Sequence, residues 1–242
     1  MLFAVVMMAT LATSLVSGVL SMAGGMILMG VFSMLLSIPA AMVLHGVAQA
    51  VSNGSRIWLY SEHICWSILL PYSIGALGIL AFFSWVSFVP DAALVFVLIG
   101  AFPFISLRLP ARMHLDISRP STALFCGLLV TGAQMLAGAS GPVLDIFYVN
   151  STLSRQQILG TKAITQTLGH IIKCGYYALV LNLGLELPIA VYAGAVVAAV
   201  LGNWLGSHIV GRINDEHFKR MGRYVILMIG AVYIAKGITA YL

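Results

Sequence analysis

The chain has 242 residues, of which 61% are hydrophobic and only 8% are charged, and its mean hydropathy is +1.04. A soluble domain carries roughly 25% charged residues, so this composition excludes a soluble globular protein. Apolar segments of roughly 20 residues, each long enough to cross a bilayer as a helix, recur along the whole chain, which also excludes a single membrane anchor. The composition predicts an all-α, polytopic transmembrane helical bundle in the inner membrane of the cell.

Helical segments follow one another along the chain. Apolar runs and turn residues place them at about 2–22, 26–38, 40–60, 64–84, 91–107, 121–138, 142–150, 157–182, 187–207 and 224–242. The second and seventh segments are too short to cross a bilayer comfortably, and they follow the small-residue tips SMAGG and AGAS. Each short segment is therefore expected to form a hairpin with the helix before it. The first segment lacks the basic start of a signal peptide, and we interpret it as a helix of the mature protein.

Most of the formal charge of +5 falls in two short loops, at 108–120 and 211–223. Loops rich in Lys and Arg mark the cytoplasmic side, so the positive charge indicates orientation rather than a nucleic-acid partner. With both loops inside, both termini are expected to be extracytoplasmic. Lys173 and Lys236 then lie in the outer halves of their helices, where each needs a polar cavity or a path to water. The three cysteines, Cys65, Cys126 and Cys174, occur singly within apolar segments. This pattern predicts buried side chains rather than redox or metal chemistry.

The same order of a hairpin followed by three spans occurs twice, in 1–107 and in 121–242, on either side of the basic loop 108–120. Because the second half starts on the opposite side of the bilayer, the two halves are expected to be inverted repeats. Polar residues match between the halves at a constant offset: His45, Gln49, Asn53, Arg56 and Tyr60 correspond to Lys162, Gln166, His170, Lys173 and Tyr177.

We call each set of matched residues a polar ladder. Its spacing of four, four, three and four residues keeps the side chains on one face of a helix. At about 1.5 Å per residue, Gln49 and Gln166 reach a depth near the bilayer midplane. Hydrogen bonding between packed spans is one explanation for such side chains. Ionisable groups at this depth usually face a cavity or a partner, so the joint pattern favours a polar permeation site.

The glycine-rich tips provide a second part of the predicted site. Each tip precedes a short helix whose first N–H groups lack acceptors within the helix, and such N-termini attract anions. Tight packing of helices through small residues is the alternative explanation. Two tips and two ladders together predict a small bound anion, with Lys162 as a positive charge and with no metal or other cofactor. The predicted binding residues are Ser21, Gly24, Gly25, His45, Gln49, Asn53, Ser140, Gly141, Lys162, Gln166 and His170.

Asp145 lies well inside an apolar segment, away from the loop ends. A carboxyl held away from water can keep its proton near neutral pH, so one interpretation is a proton-coupling residue. The other interpretation is an ion pair with Lys162 or His170.

Residues 21–60, SMAGG to WLY, and 136–177, LAGASG to GYY, resemble the duplicated signature of the TauE/SafE family of sulfite exporters and toluene sulfonate uptake permeases. The shared pattern is a small-residue tip, an apolar half-helix, a turn and a helix with a polar start, although the tips here are AGG and GASG rather than longer glycine runs. The likeness extends over nearly the whole chain. It implies a secondary transporter for sulfur oxyanions or small organosulfonates, driven by protons or by the membrane potential, with the direction of transport open.

Two other classes of protein remain open at this stage. An intramembrane enzyme could assemble an acid–base site from His45, His170, Asp145 and Ser140, although two related ladders suit transport better than the different roles that catalysis needs. A membrane assembly factor would need no central cavity. The chain contains no P-loop, GxSxG or HExxH sequence, so no catalytic residue is assigned. The expected partners are the anion and the lipid bilayer, and the oligomeric state is open, with a homodimer as one option.

Overall fold

The computed structural model describes residues 2–20, 23–108, 115–210 and 215–241. Within these ranges the chain forms α-helices and no β-strand, which confirms the predicted helical bundle. The helices are α1 (Leu2–Leu20), α2 (Ala23–Leu35), α3 (Ile38–Leu59), α4 (Trp66–Val86), α5 (Ala92–Arg108), α6 (Pro120–Ala137), α7 (Gly141–Ile146), α8 (Arg155–Gly175), α9 (Ile189–Val210) and α10 (Asp215–Tyr241).

Three helices differ from the sequence prediction. The predicted segment 142–150 is only the six-residue α7, because the chain turns away where the backbone N–H of Ile117 donates to the Phe147 carbonyl at 3.0 Å. The predicted segment 157–182 is interrupted, since α8 ends at Gly175 and a π-helical turn follows at Tyr176–Val180. The last helix, α10, begins at Asp215 rather than near 224.

Four helical stretches are long and apolar enough to cross a membrane, judged by length and composition: Trp66–Val86, Pro120–Ala137, Ile189–Gly206 and Arg223–Tyr241. Large apolar side chains cover the outside of the bundle, and Trp85 and Ile189 are 82% and 85% exposed. Such side chains suit contact with lipid hydrocarbon rather than water. The helices α3 and α8 are equally long, but their polar ladders reduce their hydropathy.

The most extensive contacts between helices are preserved when each helix is exchanged for its counterpart in the other half. In this pattern α3 packs against α8 and α5 against α10, while α1 lies on α9 as α6 lies on α4. Small residues allow such close approach between spans: Gly100 and Gly230 lie against each other's backbone, and Gly127 lies against the backbone of Tyr72. This symmetry supports the predicted inverted repeat, and the repeat boundaries stay a prediction.

Both ladder helices start at a serine cap in the same position of each half. The Ser37 Oγ atom accepts from the Ala40 N–H at 3.3 Å, and the Ser154 Oγ atom accepts from the Gln157 N–H, also at 3.3 Å. The Gln157 side chain accepts in return from the Ser154 N–H at 2.9 Å, which completes a capping box. A fixed start also fixes the direction in which each ladder points.

Candidate functional site

A polar cavity lies where the two ladders meet the tips of the two hairpins. The cavity has a volume of about 20 Å³. One water molecule needs about 10–15 Å³ of such volume, so in this conformation the cavity has room for about one water-sized group rather than for a bulky organic molecule. The lining residues come from both halves: Ser17, Gly25, Met26, His45, Gln49, Asn53 and Arg56 from the first, and Ala139, Ser140, Gly141, Gln166 and His170 from the second.

Most of the predicted binding residues converge on this cavity. Those that line it are Gly25, His45, Gln49, Asn53, Ser140, Gly141, Gln166 and His170. Gly24 instead packs against the Thr13 carbonyl and the Ser17 side chain of α1. Lys162 lies on its ladder but outside the cavity lining, and Ser21 lies outside the described residues.

Two residues of the cavity lining each have a buried polar atom with no hydrogen-bond partner in the described part of the chain. The Gln49 side chain, only 4% exposed, packs on the backbone of Gly25 and leaves its Nε2 atom unpaired. His170 is 5% exposed, and its Nδ1 atom is also unpaired. Leaving such a group unsatisfied typically costs about 1–3 kcal/mol, and a ligand that meets it would recover that energy. The two residues belong to different halves, and both line the cavity.

His45 and Lys173 join the two hairpin tips through a chain of hydrogen bonds. The Lys173 Nζ atom donates to the Gly138 carbonyl at 2.8 Å and lies 2.9 Å from His45 Nδ1, and His45 Nε2 lies 2.8 Å from the Gly25 carbonyl. An ammonium can only donate, so with a charged Lys173 the Nδ1 atom accepts and the Nε2–H donates to Gly25. Lys173 is fully buried, so it does not reach water, and it lies beside the cavity, joined to the lining through His45, rather than in the lining itself.

Gly138 has a backbone conformation that favours glycine. It caps the C-terminus of α6 with a φ of 76°, in the left-handed region, and the Met29 side chain lies against it. This conformation directs the Gly138 carbonyl towards Lys173 and starts the turn into Ser140, whose hydroxyl donates to Gln134 Oε1 at 3.1 Å. The Ser140 hydrogen is therefore already engaged within the protein.

Lys162 and Asp145 form an ion pair between α8 and α7. Their side chains are 11% and 29% exposed, and the Lys162 Nζ atom also lies 6.0 Å from the centre of the Tyr148 ring. Neither partner lines the cavity. The contact agrees with the ion-pair interpretation of Asp145, and proton coupling through Asp145 stays a prediction.

Sequence reasoning did not select four residues of the lining: Ser17, Met26, Ala139 and Arg56. Arg56 carried a usable signal, because it is a basic side chain at the ladder position that corresponds to Lys173. Ser17, Met26 and Ala139 are ordinary residues for a membrane helix or a tip, and only the folding of the hairpins against α3 and α8 brings them to the cavity.

Comparison with known proteins gives one match. The family model described as Sulfite exporter TauE/SafE matches residues 6–233, a range that contains both hairpins, both ladders and every residue of the cavity lining. No curated protein and no solved structure matches the chain.

Proposed function

The chain belongs to the sulfite exporter TauE/SafE family and is therefore a multi-pass membrane transporter, and we propose that it carries a small sulfur oxyanion or organosulfonate through the central cavity. The sulfur chemistry of the cargo follows from the family. The cavity and its polar lining support the location proposed for the site.

The observation that supports this proposal best is the pair of unpartnered groups, Gln49 Nε2 and His170 Nδ1, in one cavity. The amide nitrogen of Gln49 donates hydrogen bonds, and the imidazole of His170 donates from Nδ1 whenever that atom carries its proton. Oxyanion oxygens accept such bonds. An anion held between α3 and α8 would thus contact both halves of the protein.

The position of the cavity suits alternating access. Transporters built from inverted repeats usually bind cargo near the bilayer midplane, between the repeats, and open to each side by motion of one repeat relative to the other. Here both tips and both ladders contribute to the lining. The His45–Lys173 connection between the tips would have to move together with them.

The geometry favours transport over the two other classes of protein. A catalytic site would need several free acid–base groups. Both ring nitrogens of His45 are engaged, Ser140 donates to Gln134, and Asp145 pairs with Lys162 outside the lining. Of these four candidates only His170 keeps an unpaired ring nitrogen among the described residues. An assembly factor would have no need for buried polar groups without partners around a cavity.

Purified protein in liposomes tests the proposal. We expect flux of unmodified sulfite or a small sulfonate; formation of a product would favour an enzyme, and neither result would favour an assembly role. Replacing Gln49→Leu removes an unpaired donor from the cavity and is expected to reduce flux at subsaturating substrate by about tenfold, equivalent to about 1.4 kcal/mol of binding.

The matched control is Thr131→Val. Thr131 is also a buried polar residue, but it lies beside Tyr72 and does not line the cavity. Flux should therefore stay close to that of the unmodified protein. Equal losses in the two variants would mean that Gln49 acts through the stability of the bundle and not through the cargo.

A further inference from the structure

Arg56 and Lys173 occupy the same position of the two ladders, and each donates to a carbonyl near the end of the first hairpin helix of its own half. The Arg56 Nη2 atom donates to the Ser17 carbonyl at 2.9 Å, and Lys173 Nζ donates to the Gly138 carbonyl at 2.8 Å. Cations are favourable at helix C-termini. The two residues therefore share the role of a cation at the C-terminal end of the first hairpin helix.

The two cations differ in their contact with the cavity. Lys173 is separated from the cavity by His45, whose Nδ1 atom accepts the second hydrogen bond of the Lys173 ammonium. Lys173 is not part of the cavity lining. Arg56 lines the cavity directly. Its partners in the described part of the chain are neutral oxygens, Ser17 O and Asn203 Oδ1, the latter at 3.4 Å.

Asn203 holds the guanidinium in place from α9. Its Nδ2 atom donates to the Ser52 carbonyl at 2.6 Å and to Ser55 Oγ at 3.1 Å, so its Oδ1 atom remains directed at Arg56. No carboxylate oxygen among the described residues pairs with Arg56, and both of its hydrogen bonds leave from Nη2. Each parallel pair of guanidinium N–H groups includes one from Nη2, so a ligand with two oxygens would take over the Nη2 hydrogen that makes the long 3.4 Å contact with Asn203.

We propose that Arg56 is the residue that neutralises the cargo and selects it as an oxyanion with two adjacent oxygen atoms. This inference rests on the proposed transport function and deepens it. A guanidinium presents hydrogen atoms in a planar fork that matches two oxygens on one centre, whereas a lysine ammonium acts as a point charge. A spherical halide can accept from that fork but does not match its geometry, so Arg56 favours sulfite, a sulfonate or another oxyanion over chloride.

Binding of sulfite, methanesulfonate, nitrate and chloride to the purified transporter tests the role of Arg56. Arg56→Lys retains a charge that can reach the Ser17 carbonyl but lacks the fork. The ratio of sulfite to chloride affinity is expected to fall by about tenfold or more, which corresponds to about 1.4 kcal/mol. Arg56→Gln should weaken every anion. A purely structural role for Arg56 would change the thermal midpoint and leave the sulfite-to-chloride ratio constant.

Arg223→Gln is the matched control, because it removes the same charge from an exposed position at the start of the apolar part of α10. It should leave all four affinities unchanged. If a folded Arg56→Lys variant keeps the sulfite-to-chloride affinity ratio of the wild type, recognition of two oxygens by the guanidinium fork is wrong. If a folded Arg56→Gln variant keeps the anion affinities of the wild type, Arg56 has no role in binding the cargo.

The anion panel separates this inference from the proposed function. If the wild type binds nitrate through Arg56 but neither sulfite nor methanesulfonate, the sulfur cargo is wrong and the role of Arg56 stands. If sulfite binds and is transported regardless of residue 56, the function stands and the role of Arg56 is wrong. Failure of the wild type to bind any of the four anions would overturn both.

Discussion

Removal of the Lys162–Asp145 ion pair should reveal whether it holds α7 in place. Asp145→Asn leaves the ammonium without its anionic partner, Lys162→Met leaves the carboxylate without its cation, and the double variant removes both charges. Each single variant is expected to be clearly less stable than the wild type, while the double variant should be more stable than the sum of the single effects predicts.

The expected magnitude follows from the exposure of the pair. Breaking a fully buried ion pair costs about 3–5 kcal/mol, and an exposed pair contributes about 0–1 kcal/mol. The side chains are 11% and 29% exposed, so the interaction energy should fall between these limits, at about 2 kcal/mol. In a chain of this length, 1 kcal/mol corresponds to a change of about 2–4 °C in thermal midpoint. The coupling should therefore appear as about 4–8 °C.

Thermal unfolding in detergent, followed by circular dichroism, measures this coupling. Single effects that add to the double effect within about 0.5 kcal/mol would refute an energetically important pair.

Flux measured with and without a pH gradient then tests the other interpretation of Asp145. If Asp145 carries the coupled proton, Asp145→Asn should bind substrate normally but lose its response to the gradient, because Asn resembles a permanently protonated Asp. A full response in that variant would direct attention to His45 and His170, titratable residues of the cavity lining that can exchange a proton.

Two further predictions concern the hairpin tip and the topology. Gly138→Ala should destabilise the protein by about 2 kcal/mol or more, because alanine is strained at a φ of 76° and its Cβ would meet the Met29 side chain. Gly54→Ala, in an open part of α3, should not lower the thermal midpoint, and equal effects of the two substitutions would contradict this reasoning. Single cysteines in 108–120 and in 211–223, introduced into a variant without native cysteines, should react with an impermeant thiol reagent from the cytoplasmic side only. Labelling of the two loops from opposite sides would rule out the inverted repeat.

Much of the candidate site could be predicted from local patterns. The spacing from His45 to Asn53, and from Lys162 to His170, places polar side chains on one face of each helix wherever those helices pack. Both serine caps also depend only on neighbouring residues, since Ser37 bonds to Ala40 and Ser154 to Gln157. Composition alone similarly requires helices for the spans, because lipid provides no partners for exposed backbone groups.

Other parts of the site depended on contacts between distant segments. The sequence places Lys162 and Lys173 on one ladder, but the tertiary structure pairs Lys162 with Asp145 on α7 and buries Lys173 between His45 and the Gly138 carbonyl. Periodicity specifies the face of a helix and the approximate depth of a residue. It does not specify which cation lies opposite a carboxylate, because that depends on where the neighbouring segments cross.

Arg56 shows the same division most clearly. Its place on the ladder is evident from the sequence, but its availability to an anion depends on Ser17 in α1 and Asn203 in α9. Either position could have held a carboxylate that neutralised the guanidinium. Side-chain charge and helical phase are properties of the local chain and can be read from the sequence. The balance of charge within the cavity arises only where α1, α3 and α9 pack together, because an ion pair or a hydrogen bond requires atoms from distant segments to be in contact.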